Sequence, residues 1–343
     1  MLFKSLVSLA LAATSVYAQA VKGKAFDHIF IIFLENTDFS LAASQPEIQA
    51  LTTESVLLSN YHAVTHPSQP NYLAAVAGDY YGLNDDANHD LPANFTTIVD
   101  LLEEKNVTWK TYQENMPSVC YTGYDSDDGL YFRKHNPFIS HVSIALNSTR
   151  CQNVVPSSQL YEDLNSTDPM PNYMFYTPNM MDDGHNTTVK NASLWLAGFL
   201  PPLMNNTKFI NNTLVVLTFD ETEDYTIPSN NVYTLLMGDA IKNLKNTTDN
   251  TFYTHYSLLS TVESNWGLGN LGRNDVNKNL SNVFSFVANA TGYENVNVTD
   301  PPVLNGTEPG FLASTSAAAQ TVPVSALLSA TVAFLAGAIT FMV

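Results

Sequence analysis

The sequence predicts an α/β fold, a mostly parallel central sheet with helices packed on both of its faces. Short, nearly continuous apolar runs recur along the chain, as buried parallel strands require. Amphipathic segments of helical period lie between those runs. Their alternation is the pattern of strand–helix–strand units around one sheet.

In chain order, His28 to Leu34 (HIFIIFL) reads as a buried strand, followed by a strand over Val56 to Ser59. A helix over Asn71 to Ala77 ends at Gly78, and a second helix over Thr96 to Lys105 precedes a strand over Val107 to Tyr112. The remaining strands are Tyr173 to Thr177, Thr213 to Phe219 and Val232 to Met237, with helices over Ala192 to Leu200 and Ser257 to Trp266. In such sheets ligands bind beyond the carboxyl ends of the strands.

The two ends of the chain read as processing signals. Residues 1–18 combine one early lysine, an apolar run and Val16-Tyr17-Ala18, which is the pattern of a secretory signal peptide. At the other end, 317–343 close on an uncharged apolar run, with small residues around Ser314 and Ser316 before it. That order is the signature of a glycosylphosphatidylinositol (GPI) attachment signal, removed as lipid is joined near Ser314 or Ser316. A catalytic domain is expected over 19–294 and a glycosylated stalk rich in Asn, Pro, Ser, Thr and Ala over 295–316. The expected location is the cell surface, with the membrane reached only through the lipid.

Secretion leaves further marks. Asn-x-Ser/Thr acceptors occur at Asn94, Asn106, Asn147, Asn165, Asn186, Asn191, Asn205, Asn211, Asn246, Asn279, Asn289, Asn297 and Asn305, about twice the number that composition gives by chance. Cys120 and Cys151 are the two cysteines, and in an oxidising compartment they most simply form one disulfide closing a loop of about 30 residues.

Charge excludes one class of partner. The chain has 14 Lys and Arg against 32 Asp and Glu, a net charge of −18, so it lacks the basic clusters that sequence-independent nucleic-acid binding needs. Apolar residues make up 45% and aromatic residues 11%, enough to fill a sizeable core.

Chemistry gathers where predicted strands end. Glu35-Asn36 follows the first, Asp220-Glu221 follows Thr213 to Phe219, and Asp182-Asp183-Gly184-His185 lies shortly after Thr177. Carboxylates converging on one rim raise one another's pKa unless a cation sits between them, and an oxygen-rich set suits a hard divalent metal. Ser68 stands between Pro67 and Pro70 just where a helix begins, where a hydroxyl can serve as a nucleophile. Gly-x-Ser-x-Gly is absent, which argues against a Ser-His-Asp hydrolase.

These residues carry a resemblance. Phe33-Leu34-Glu35-Asn36, His66-Pro67-Ser68-Gln69-Pro70-Asn71-Tyr72, Trp109 to Pro117, Arg133 to Phe138, Asn179 to His185, Thr218 to Glu221 and Thr254 to Leu259 together resemble the fungal and bacterial phosphoesterase family. That family includes secreted acid phosphatases and phospholipases C and belongs to the alkaline-phosphatase-like superfamily. The resemblance implies an alkaline-phosphatase-like fold and one divalent metal ion on Glu35, Asn36, Ser68, Asp220 and Glu221. It further implies Ser68 as nucleophile, with His135 and His185 at the phosphoryl and leaving groups. His66, Lys110, Lys134, Asp183 and His255 are the expected substrate contacts. A second metal would need an Asp four residues before His185, where this chain has Met181. The expected activity is an acid phosphatase acting on small phosphate esters through a phosphoseryl intermediate. A phosphodiesterase of the same fold and a non-catalytic wall glycoprotein are the rivals.

Overall fold

The computed structural model describes residues 20–304. The signal peptide, the GPI signal with Ser314 and Ser316, and Asn305 lie outside them. Strands β1 (His28–Leu34), β2 (Val56–Leu58), β3 (Tyr61–His62), β4 (Trp109–Gln113), β5 (Val154–Pro156), β6 (Tyr173–Thr177), β7 (Thr213–Phe219), β8 (Thr234–Met237), β9 (Thr247–Asp249) and β10 (Tyr253–Thr254) form two sheets. The larger has eight strands in the order β5-β4-β6-β1-β7-β8-β2-β9, and β3 pairs with β10 alone. Every pairing in the large sheet is parallel except those of β8 with β7 and β2.

Helices α1 (Phe39–Ala43), α2 (Pro46–Thr52), α3 (Ser68–Ala77), α4 (Ile98–Glu104), α5 (Val142–Ala145), α6 (Ser158–Asn165), α7 (Val189–Met204), α8 (Thr207–Ile210), α9 (His255–Trp266) and α10 (Ser285–Thr291) complete the fold. Central strand β1 shows why both faces are covered. Its residues alternate sides, so Phe30 meets Phe199 of α7 and Phe209 of α8. Phe33 points the other way, with ring centroids 5.1 Å from both Tyr72 of α3 and His255 of α9. The expected α/β class is thus the observed one.

Several boundaries differ for local reasons. Helix α3 begins at Ser68 rather than Asn71, because a proline in the first turn costs no helical hydrogen bond. Helix α9 begins at His255 because Thr254 and Ser257 form a capping box, Thr254 Oγ1 accepting from Tyr256 N at 3.1 Å and Ser257 Oγ from Thr254 N at 3.0 Å. Edge strands β5 and β9 are three residues each, too short for periodicity to reveal them. The folded part also passes the expected boundary at 294. Asn282 and Asn295 fasten this tail through Asn282 Oδ1 to Val296 N at 2.9 Å and Asn295 Oδ1 to Val283 N at 2.8 Å. Leu304 is buried beside Tyr256 and Leu280.

Cys120 and Cys151 are disulfide-bonded, 31 residues apart. Closing a loop of that length lowers the entropy of the unfolded chain by about 3–4 kcal/mol. A Cys120→Ser/Cys151→Ser variant should lose about that stability in urea unfolding, with a steeper slope because its unfolded chain is less compact.

Glu263 of α9 offers a separate test. Its Oε1 is buried without a partner. Burial first, and the charge of Asp275 second, push its carboxyl up to about 9 from 4.5. A raised folded pKa contributes stability that is whole below about pH 4.5 and is lost as the pH climbs through about 9. Glu263→Gln should therefore be more stable than the parent at pH 8, with the difference shrinking towards pH 4 in denaturant midpoints.

Candidate active site

The register of the central strands builds the site. Leu34 of β1 pairs with Phe219 of β7, so Glu35 and Asp220 leave the sheet side by side. Their backbones stay joined beyond the strands, Asp220 N donating to Leu34 O at 2.9 Å and Thr37 N to Glu221 O at 3.1 Å. On the other side, Glu35 N donates to Asp183 O at 3.0 Å, which brings in the segment after β6. Three strand ends thus share one rim, and Glu35, Asp183, Asp220 and Glu221 are all buried there.

Ser68, the first residue of α3, faces this group. Its hydroxyl lies 2.9 Å from Glu35 Oε2 and 3.3 Å from Glu221 Oε1. Asn36 donates through its backbone N to Asp220 Oδ1 at 2.9 Å and through Nδ2 to Glu35 Oε2 at 3.2 Å. Asn36 has a left-handed backbone, with φ of 45°, which asparagine tolerates better than most residues. Five expected metal ligands are therefore linked by hydrogen bonds along one rim.

Their electrostatics show what is missing from a protein-only balance. Burial, followed by the charges of Asp220 and Asp183, pushes Glu35 well above the ordinary carboxylate range. Burial and then Asp220 push Glu221 up to about 10. Burial raises Asp220 to about 6 despite hydrogen bonds that pull it down, and its Oδ2 is buried without a hydrogen-bond partner. Packed like charges with an orphaned oxygen are chemistry that a divalent cation would offset. Among the described residues, Glu35, His135 and His185 are the group of metal-ligating side chains whose ligand atoms all lie within 4.8 Å of one another.

One lysine and three histidines lie against the carboxylates. Lys134 Nζ donates to Asp86 Oδ2 at 3.0 Å and lies 2.9 Å from His185 Nε2. Burial lowers the Lys134 pKa, but Glu35 and Asp86 outweigh it and the net shift is upward, so the ammonium is retained. His135 Nε2 is 3.2 Å from Glu35 Oε1, and its Nδ1 is 3.4 Å from Asp183 Oδ2. Burial first, then Lys134 and His185, hold the His135 pKa well below its usual value; burial and Lys134 lower that of His185. His66 bonds through Nδ1 to Glu221 and stacks on Tyr225 at 3.9 Å between centroids. Burial lowers its pKa to about 4.

Two expected substrate contacts are placed elsewhere. Lys110 Nζ pairs with Asp163 Oδ2 of α6 at 2.7 Å, because Lys110 sits inside β4 and its side chain runs to the covering helix. His255 is fully buried beneath the rim, with Nε2 2.7 Å from Asp220 O and Nδ1 3.1 Å from Tyr61 OH. Both ring nitrogens are engaged, so His255 positions the end of β7. Three residues with no assigned role join the site instead. Tyr72 donates to Glu35 Oε1, Tyr225 donates to Glu221 Oε1 at 3.2 Å, and Asp86 Oδ1 accepts from Gln69 N at 2.9 Å. Only Tyr72 had a sequence signal, lying one helical turn after Ser68; Asp86 and Tyr225 are on irregular loops.

A helix-borne hydroxyl between a buried carboxylate set and a fixed ammonium defines a class of protein, one that hydrolyses anionic esters. Comparison with known proteins makes the class specific. The Phosphoesterase family profile matches residues 42–269. The chain is 45% identical over 304 residues to a probable acid phosphatase of Kluyveromyces lactis, covering 85% of this chain and 70% of that protein. It is 40% identical over 317 residues to an acid phosphatase of Aspergillus fumigatus, covering 89% of this chain and 70% of that protein. A solved structure of the alkaline phosphatase superfamily from Vibrio parahaemolyticus shares the fold, with TM-score 0.51 and 12% identity over 74% of this chain and 70% of that one. The chain belongs to the phosphoesterase family and is a hydrolase of phosphoric esters.

Lys134 is the one lysine among these site residues, so its loss should be felt directly. Lys134→Gln should lower kcat/KM by about 10²-fold, the scale of removing one transition-state donor, in a p-nitrophenyl phosphate assay.

Proposed function

We propose that the protein is a secreted, glycosylated acid phosphatase that hydrolyses small phosphate monoesters through a phosphoseryl intermediate on Ser68. The observation that carries this reading is Ser68 Oγ set 2.9 Å from Glu35 Oε2 at the start of α3, with His135 3.2 Å from the same carboxylate. The acid phosphatase names of relatives at 40–45% identity point the same way. The twelve acceptor asparagines from Asn94 to Asn297 are all exposed, and the disulfide suits an oxidising compartment. Cell-surface attachment through a GPI lipid near Ser314 or Ser316 is part of the proposal.

One divalent ion on Glu35, Asn36, Ser68, Asp220 and Glu221, when bound, would supply charge neutralisation and acidify the serine hydroxyl. The carboxylate set is preferred to the group with His185, because His185 Nε2 already faces the Lys134 ammonium at 2.9 Å. The rest falls to the chain. Ser68 Oγ attacks phosphorus, the ester oxygen leaves, and the phosphoryl group resides on Ser68 until water displaces it. Lys134 stabilises the non-bridging oxygens. His135 is placed to pass a proton to the departing oxygen once a bound anion raises its pKa. The acidic working range follows from charge. With 32 acidic side chains, the protein repels phosphate less at pH 4–5, where exposed carboxylates titrate.

Ser68→Ala, with unchanged circular dichroism, should abolish turnover of p-nitrophenyl phosphate. His135→Ala should slow it by about 10²–10⁴-fold rather than stop it. Exhaustive chelation should remove activity and a divalent ion restore it; full activity in metal-free protein, verified by elemental analysis, would defeat the metal assignment. Activity should be highest below pH 6.

A further inference from the structure

Among the twelve described acceptor sites, Asn186 alone is hydrogen-bonded to a residue of the candidate active site. Its Oδ1 is 2.9 Å from His185 Nδ1, and His185 Nε2 is 2.9 Å from Lys134 Nζ. An ammonium can only donate, so Nε2 is the acceptor and Nδ1 carries the proton. That proton needs an acceptor, which fixes the Asn186 amide with Oδ1 towards the ring. Nδ2, the atom that takes a sugar, is thereby left out of the contact on an exposed residue.

The loop that bears Asn186 is fastened to itself. Asn186 N donates to Met180 O at 2.8 Å, Thr187 N to Gly184 O at 3.1 Å and Thr187 Oγ1 to Met181 O at 2.7 Å. A glycan here would stand on a fixed base next to the residue that contacts Lys134.

We infer that Asn186 carries an N-linked glycan at the lip of the active site, and that this glycan restricts the enzyme to small phosphate monoesters by excluding phosphoryl groups borne on macromolecules. The inference rests on the reading of the chain as a secreted phosphatase. The sugar is transferred from a lipid-linked oligosaccharide diphosphate in the secretory lumen. A bond forms between Asn186 Nδ2 and the anomeric carbon, the sugar–phosphate bond breaks, Nδ2 gives up one proton and the lipid diphosphate leaves. Oδ1 remains free to accept from His185, so modification and an ordered site are compatible.

The full chain, secreted from a eukaryotic host, allows a direct test. Glycopeptide mass spectrometry should find Asn186 occupied. Thr188→Asn destroys the acceptor sequence yet keeps a residue able to cap α7, where Thr188 Oγ1 accepts from Asn191 N at 3.3 Å. Thr188→Ser retains both functions and serves as control. In Thr188→Asn, kcat/KM on a phosphoserine-bearing casein should rise severalfold, while kcat/KM on p-nitrophenyl phosphate stays as in the parent and in Thr188→Ser. Native trimming of the parent with an endoglycosidase should give the same result should the Asn variant fail to fold. An unmodified Asn186, or equal changes on both substrates, would overturn the inference. A parent protein unable to hydrolyse p-nitrophenyl phosphate would instead overturn the phosphatase reading, and the gate with it, whatever the occupancy.

Discussion

Burying several carboxylates side by side is the constraint on which this molecule is built. Glu35, Asp220 and Glu221 emerge from paired strands β1 and β7, so the sheet itself forces them together. Desolvated like charges cost several kcal/mol each in the absence of compensation. The protein supplies part of it. Tyr72, Ser68, Tyr225 and Asn36 donate to these groups, and His66 bonds Glu221. Asp220 Oδ2 stays unserved, so the donors stop short of the full requirement at the spot where a cation would complete it.

The rest of the fold can be read as what holds that arrangement still. Phe33 lies beneath the rim between Tyr72 and His255, and His255 reaches from α9 to the backbone carbonyl of Asp220. Tyr61 fixes the other side of the imidazole. Asp86 ties the first turn of α3 to Lys134, so nucleophile and cation share one anchor. Sub-ångström placement of reacting groups matters greatly to rate, and these contacts provide it from elements far apart in sequence.

The sequence made the central strands legible because β1, β6 and β7 are buried on both faces and read as unbroken apolar runs. Their polar successors Glu35, Asp220 and Glu221 were legible for the same reason, as abrupt charge after seven largely apolar positions. Short edge strands β5 and β9 carry no such signal. His255 shows the opposite failure. A histidine opening a helix looks like a polar site residue, yet pairing of β3 with β10 sinks it below the rim. Asp86 and Tyr225 were invisible, since loop residues join the site only through tertiary placement.

The two lysines singled out from sequence separate by what they lie against. Lys110 projects from the interior of a strand, and a strand interior is covered by a helix, so its charge is spent on Asp163. Lys134 lies beside the carboxyl ends of the strands, paired with Asp86 and 2.9 Å from His185 Nε2. Other cations are likewise committed, Arg133 to Asp90, Arg150 to Asp100 and Glu103, and Lys245 to Glu54. A chain of net charge −18 has no long-range attraction for a phosphate at neutral pH. Binding must then depend on positive charge fixed locally, which for this site means Lys134 and, on the proposed reading, a bound cation.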